Sequence, residues 1–166
     1  LYYCTWLVHT PIHTRSKALL DKYVKKLGVK LPEVPKQNWM GKGQTNPFYC
    51  AMVEQLDHYV GNLFKYLERT EDPRWPGHKL IENTYVIFTY DNGHYRDTGE
   101  ERLLRGDKWW LWEGGIRVPM IVSGPGVAPE SNCDANVVGY DLLSTFVELA
   151  GGHPEQLKDV DGVSLK

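Results

Sequence analysis

Apolar residues recur along this chain with two different periods, and the two alternate. Leu1 to Val8 is a nearly unbroken run of apolar and aromatic residues, a strand signal that ends at His9-Thr10-Pro11. From about Ser16 to Leu27 the period becomes helical. Leu19, Leu20, Tyr23, Val24 and Leu27 fall on one face, and Gly28 is placed to end the helix. Val29 to Thr45, rich in Pro, Gly, Lys and Gln, is predicted as a surface loop. Asn46-Pro47 then supplies a capping side chain and a first-turn proline. Met52, Leu56, Val60, Leu63 and Leu67 follow at three- and four-residue steps, predicting a long helix.

After a turn-rich break from Glu71 to Gly77, Thr84 to Thr89 is a short β-branched and aromatic run. It is predicted to be a strand covered on both faces, and it leads into Tyr90-Asp91-Asn92-Gly93. A polar loop connects it to Gly106-Asp107-Lys108. Ile116 to Ser123 is predicted as a further strand, with Pro119 marking an edge or bulge. Tyr140 to Ala150 is a last helix, stopped at Gly151-Gly152. Strands alternating with helices predict an α/β fold with helices on both faces of a sheet. Ligands in such folds sit outside the carboxyl ends of the strands. His9 follows the first predicted strand and Asp91 the central one, so polar groups distant in sequence are expected at one end of the sheet. The apolar start, without Met, and the absence of a closing element at Val163 to Lys166 lead to the expectation of a fragment of a larger fold.

Composition narrows the function classes. With 19 Lys+Arg against 21 Asp+Glu, the net charge of -2 gives no electrostatic footprint for nucleic acid. A hydrophobic share of 42% fits a globular chain, and no apolar run reaches the roughly 20 residues of a membrane helix. Cys4, Cys50 and Cys133 form neither a CxxC pair nor a zinc pattern. Their odd number leaves at least one thiol free or paired outside the chain.

The candidate chemistry lies in the loops. Asp91 and Asn92 put a carboxylate and an amide carbonyl side by side, the hard oxygens that calcium takes in sets of about 6–8. Neighbouring side chains share an ion only where the strand has ended, and Gly93 is read as supplying the backbone freedom for that turn. The tripeptide by itself reads more readily as a simple turn. Lys108, in a glycine-flanked loop, offers a compact positive charge for an anion, or else a solvated surface lysine. His9 is placed to donate to an oxyanion or to protonate a leaving oxygen. His13 is read either as a second contact or, at least as readily, as packing, and the intervening Pro11 argues against a zinc pair with His9. Glu113 and Arg117 are expected to brace a loop as an ion pair. His94, Tyr95 and Arg96 follow the metal turn within reach of a substrate. Of Trp109, Trp110 and Trp112, at least two are expected in the core, with a platform for a sugar or aryl group as the alternative.

In order and spacing these segments resemble the sulfatase family. They are Tyr85 to Gly93, Leu104 to Lys108 and Trp112 to Pro119. His9 to His13, the helix from Tyr49 to Gly61, Tyr140 to Gly151 and Asp161 to Leu165 agree with it. The resemblance implies an alkaline-phosphatase-like α/β fold, a mostly parallel sheet sandwiched by helices, with residues 1–166 an incomplete part of one catalytic domain. It implies sulfuric ester hydrolysis, calcium on Asp91 and Asn92, and sulfate contacts from Lys108 and His9. His94 and Trp109 are the substrate-binding candidates. The implied partner is a sulfate-ester small molecule or sulfated carbohydrate, with the N-terminal remainder of the domain completing the site. An exported or lysosomal setting is implied as well. The family makes a formylglycine nucleophile within Cys/Ser-x-Pro-x-Arg, and neither that motif nor the paired aspartates of the calcium site occurs here. Both are expected upstream. The rival readings are a phosphodiesterase or phosphonate hydrolase of the same superfamily, and a non-catalytic binding relative.

Overall fold

The computed structural model describes residues 1–31, 46–95 and 103–166. It divides into two compact units, Leu1–Val127 and Ala128–Lys166.

In the first unit, α1 (Lys17–Leu27) begins where the Ser16 side chain accepts from the Leu19 N–H, and ends at Gly28 in the left-handed region at φ 64°. Gly28 is the stop signal read from the sequence. α2 (Pro47–Arg69) is capped by Asn46, whose side chain accepts from the N–H groups of Phe48 and Tyr49. Such a cap stabilises a helix by about 1 kcal/mol. α1 and α2 pack together, and Lys22 reaches across to Glu54 at 2.6 Å. The predicted loop from Val29 onward falls largely on residues outside the described ones.

Beyond α2 the chain turns at Asp72, which is 1% exposed and works as a local hub. Its carboxylate accepts from the Arg74 backbone N–H at 2.9 Å and from the Asn83 amide at 3.1 Å. The Arg74 backbone bond first, then that of Asn83, holds its carboxyl below the usual carboxylate range. A 3₁₀ turn at Leu80–Asn83 then delivers the chain into β1 (Val86–Thr89).

β1 pairs antiparallel with β2 (Met120–Ser123), with Val86 opposite Ser123 and Thr89 opposite Met120. The strand pair among the described residues is antiparallel. Here the sequence expectations need correcting. β1 is half-buried, not covered on both faces. Leu1–Val8 is irregular chain ending in a turn, because a strand needs a partner ladder and none lies beside it among the described residues. Ile116 closes a one-turn helix, α3 (Glu113–Ile116), so β2 starts later than predicted.

The buried apolar side chains among the described residues are Ile12, Pro47, Ala51 and Met52. His13 meets Phe48 edge to face at 6.5 Å, so the segment after Pro11 rests on the start of α2 and His13 is a packing residue.

The second unit is built on α4 (Asp141–Leu149). Asp141 accepts from the backbone N–H groups of Val138 and Val163, Ser144 donates to the Gly162 carbonyl, and the Thr145 hydroxyl accepts from Leu165 N–H. Gly162, Val163 and Leu165 are thus pinned to one face of α4 by polar side chains. A Cβ on Gly162 would meet the Tyr140 carbonyl at 2.2 Å, so only glycine allows this approach.

Candidate active site

Because Thr89 pairs with Met120, everything between them leaves from the carboxyl end of β1 and returns there. This connection, residues 90–119, carries Asp91, Asn92, His94, Lys108 and Trp109. Three backbone hydrogen bonds fold it on itself. Gly93 N–H donates to Gly115 O, Gly114 N–H to Arg105 O, and Lys108 N–H to His94 O, each at 2.8 Å. At about 1 kcal/mol each they fix the loop only as a set.

Four glycines make the set possible. A Cβ on Gly93 would meet Gly114 O at 1.8 Å, one on Gly114 would meet Gly106 O at 2.1 Å, and one on Gly115 would meet Trp110 O at 2.0 Å. The role expected of Gly93 is corrected accordingly. It does not adopt a left-handed φ; it is glycine because another backbone occupies the space of a side chain. The turn reading of Asp-Asn-Gly missed this knot, although five glycines within the 23 residues from 93 to 115 were its signal. Outer braces complete it. Arg105 lies 3.7 Å over the Trp112 ring, and Arg117 bonds Glu113 at 3.2 Å, the ion pair expected from the sequence.

Lys108 and His9 come together. The lysine Nζ lies 3.3 Å from His9 Nε2, and His9 Nδ1 lies 3.0 Å from its neighbour's carbonyl, Thr10 O. A carbonyl only accepts, so Nδ1 carries the proton; an ammonium only donates, so Nε2 accepts. Both contacts are met by one neutral tautomer. Trp6 stands edge-on to the His9 ring at 6.0 Å. The N-terminal segment also comes within electrostatic reach of Asp91. The Tyr2 phenol is pushed up, first by its hydrogen bond with the Cys4 thiol and more weakly by the charge of Asp91.

Asp91 is exposed and Asn92 half-buried, and the Asn92 amide donates to Gly93 O at 2.8 Å. That bond fixes the amide plane. A carboxylate and a carbonyl oxygen suit calcium but are only two of its ligands, and no group of three His, Cys, Asp or Glu is placed for a metal among the described residues. His94 is half-buried and tied to Lys108 through the backbone. Trp109, Trp110 and Trp112 are 78%, 51% and 44% exposed, which corrects the expectation that two of them are core. All three cysteines are free thiols. No helix is long and apolar enough to cross a membrane among the described residues.

The sulfatase family profile matches residues 5–152. The chain belongs to the sulfatase family. It is 38% identical over 128 residues to a sulfatase of Formosa agariphila, covering 73% of this chain and 23% of that protein. Against human arylsulfatase D the identity is 34%, over 84% of this chain and 24% of the relative. The crystal structure of Ps i-CgsB in complex with k-i-k-neocarrahexaose superposes with a TM-score of 0.66 at 26% identity, covering 95% of this chain and 30% of that one. The α/β, alkaline-phosphatase-like fold of the sulfatases is therefore that of this chain. The chain spans about a quarter of the length of the curated sulfatases it matches.

Proposed function

We propose that the protein is a sulfuric ester hydrolase and that this chain supplies the sulfate contacts and part of a calcium site. One observation carries the reading. In a chain of the sulfatase family, Lys108 and His9 converge to 3.3 Å on the loop system that holds Asp91 and Asn92. A sulfate monoester bears one negative charge, and the Lys108 ammonium offsets it while remaining a donor as charge moves to the leaving oxygen. An entering sulfate oxygen replaces His9 Nε2 as the acceptor of a Lys108 N–H. His9 then stands within reach of the leaving oxygen, where an imidazole holds or passes a proton.

Asp91 and Asn92 would hold calcium, whose charge would act on the same sulfate group; the other ligands come from outside this sequence. No cysteine or serine here lies in Cys/Ser-x-Pro-x-Arg, so the nucleophile, like those ligands, belongs to the rest of the protein. His94 and Trp109, on either side of the Lys108 backbone pairing, are the substrate-side residues. A sulfated carbohydrate is the favoured substrate class, since the solved neighbour is in complex with k-i-k-neocarrahexaose and a further relative, at 36% identity, is human N-acetylglucosamine-6-sulfatase.

Sulfate release by the intact protein tests the reading. Aryl and sugar sulfates should be turned over, with little activity on the matching phosphates. Preference for the phosphate ester, or no turnover by a protein carrying formylglycine, would overturn it.

A further inference from the structure

Trp109 combines two features that ordinary packing does not explain. Its φ is +79°, a region that bulky residues rarely adopt, and its indole is 78% exposed. A side chain that stays in water recovers little hydrophobic free energy against such strain. The backbone on each side imposes the conformation. Lys108 N–H donates to His94 O at 2.8 Å just before it, and Trp110 N–H to Asp107 O at 3.0 Å just after. The indole is nonetheless held: Tyr95 meets it edge-on, centroids 5.5 Å apart and planes at 88°. Strain kept at an exposed, braced aromatic is a sign of function rather than of core packing.

We infer that Trp109 is a specificity residue of the sulfate-ester site, its indole face stacking on the flat, apolar face of a sugar or aryl ring while Lys108 holds the sulfate that the ring carries. The inference rests on the sulfatase reading and narrows it to ring-borne esters. Indole stacks well on either ring, because each presents a broad C–H or π face. Tyr95 is the positioning residue, fixing the indole plane from its edge.

The test uses the intact protein and three substrates: an aryl sulfate, a sulfated monosaccharide and an open-chain alkyl sulfate. In Trp109→Ala the kcat/KM ratio of ring over alkyl ester should fall roughly tenfold, carried by KM, the scale of about one lost stacking contact. Trp109→Phe should restore most of the ratio. Trp109→Gly should melt no lower than wild type, because glycine adopts this φ without strain. An unchanged ring-to-alkyl ratio overturns the inference, and so does a lower melting temperature in both Trp109→Gly and Trp109→Phe, which would mean that protein covers the indole. Lys108→Ala separates the two readings. If it abolishes turnover while the Trp109 variants keep the wild-type ratio, stacking alone fails. If it leaves turnover of all three substrates intact, the sulfate site itself is misplaced.

Discussion

Lys108 Nζ sits 3.3 Å from His9 Nε2, although the two residues are 99 positions apart in the sequence. Neither side chain is buried, so the contact is not a by-product of core packing. It arises because two separate loops are each fixed by their own backbone. Lys108 is tied by its N–H to His94 O, and His9 is oriented by the Thr10 carbonyl. An ammonium aimed at an imidazole lone pair is easily redirected to an arriving anion, which is a stronger acceptor.

The glycine knot is expected to be the most sensitive part of this arrangement. Gly114→Ala sets a methyl against the Gly106 carbonyl at 2.1 Å, and backbone on both sides leaves no flexible side chain to yield. A destabilisation of about 1–3 kcal/mol is expected, the usual cost of overpacking, together with loss of activity as Lys108 and Asp91 are displaced relative to each other. Gly61→Ala, in the middle of α2 with nothing within 4 Å of the added Cβ, should instead leave stability unchanged or raise it. Thermal melts of both variants check the contrast.

Much of the local structure was readable from residue chemistry, and the failures share a cause. Gly28, Asn46 and Pro47 act within one helical turn, so their meaning is contained in the sequence, and α1 ends and α2 begins where they indicate. Leu1–Val8 has strand composition, but a ladder needs a neighbouring strand and composition cannot supply one. The tryptophans read as core because they are large and apolar; which side of a loop they occupy is decided by the backbone pairing around them. Strand signals pointed to His9 and Asp91 at one end of the sheet, and Lys108 joined them only through the family resemblance; the structure brings Lys108 to His9, although the segment before His9 is not a strand.

Calcium binding should expose how incomplete the ligand set is. Titrated into a protein of these 166 residues alone, calcium should bind at about millimolar affinity or weaker, since Asp91 and Asn92 provide two of about 6–8 oxygens. In the intact protein, Asn92→Ala should weaken calcium by calorimetry. Tight binding to the short chain would show that the ligands are local and that Asp91 and Asn92 are not the site.

Asp72 predicts a dependence on pH. Its folded-state pKa lies below the unfolded value of about 3.9, so its contribution is fully present above that value and is lost as pH falls through the folded one. Asp72→Asn removes the charge that these bonds favour. The variant should melt below wild type at about pH 7, and the gap should shrink as pH falls below about 4. A gap that is constant across this range would mean that the turn at residues 72–78 does not depend on the ionised carboxylate.

Whether His9 and Lys108 act on one sulfate group is measured by a double-mutant cycle. Steady-state hydrolysis of an aryl sulfate is compared for wild type, His9→Ala, Lys108→Ala and the double variant. Lys108→Ala should lower kcat by roughly 10²–10³-fold, the scale of losing one preorganised electrostatic contact, with KM changing less. If the two residues work as a unit, the double variant should be little worse than the poorer single one. Effects on log kcat that simply add, or a Lys108→Ala variant with near-wild-type kcat, would mean that the two residues do not act on one sulfate group.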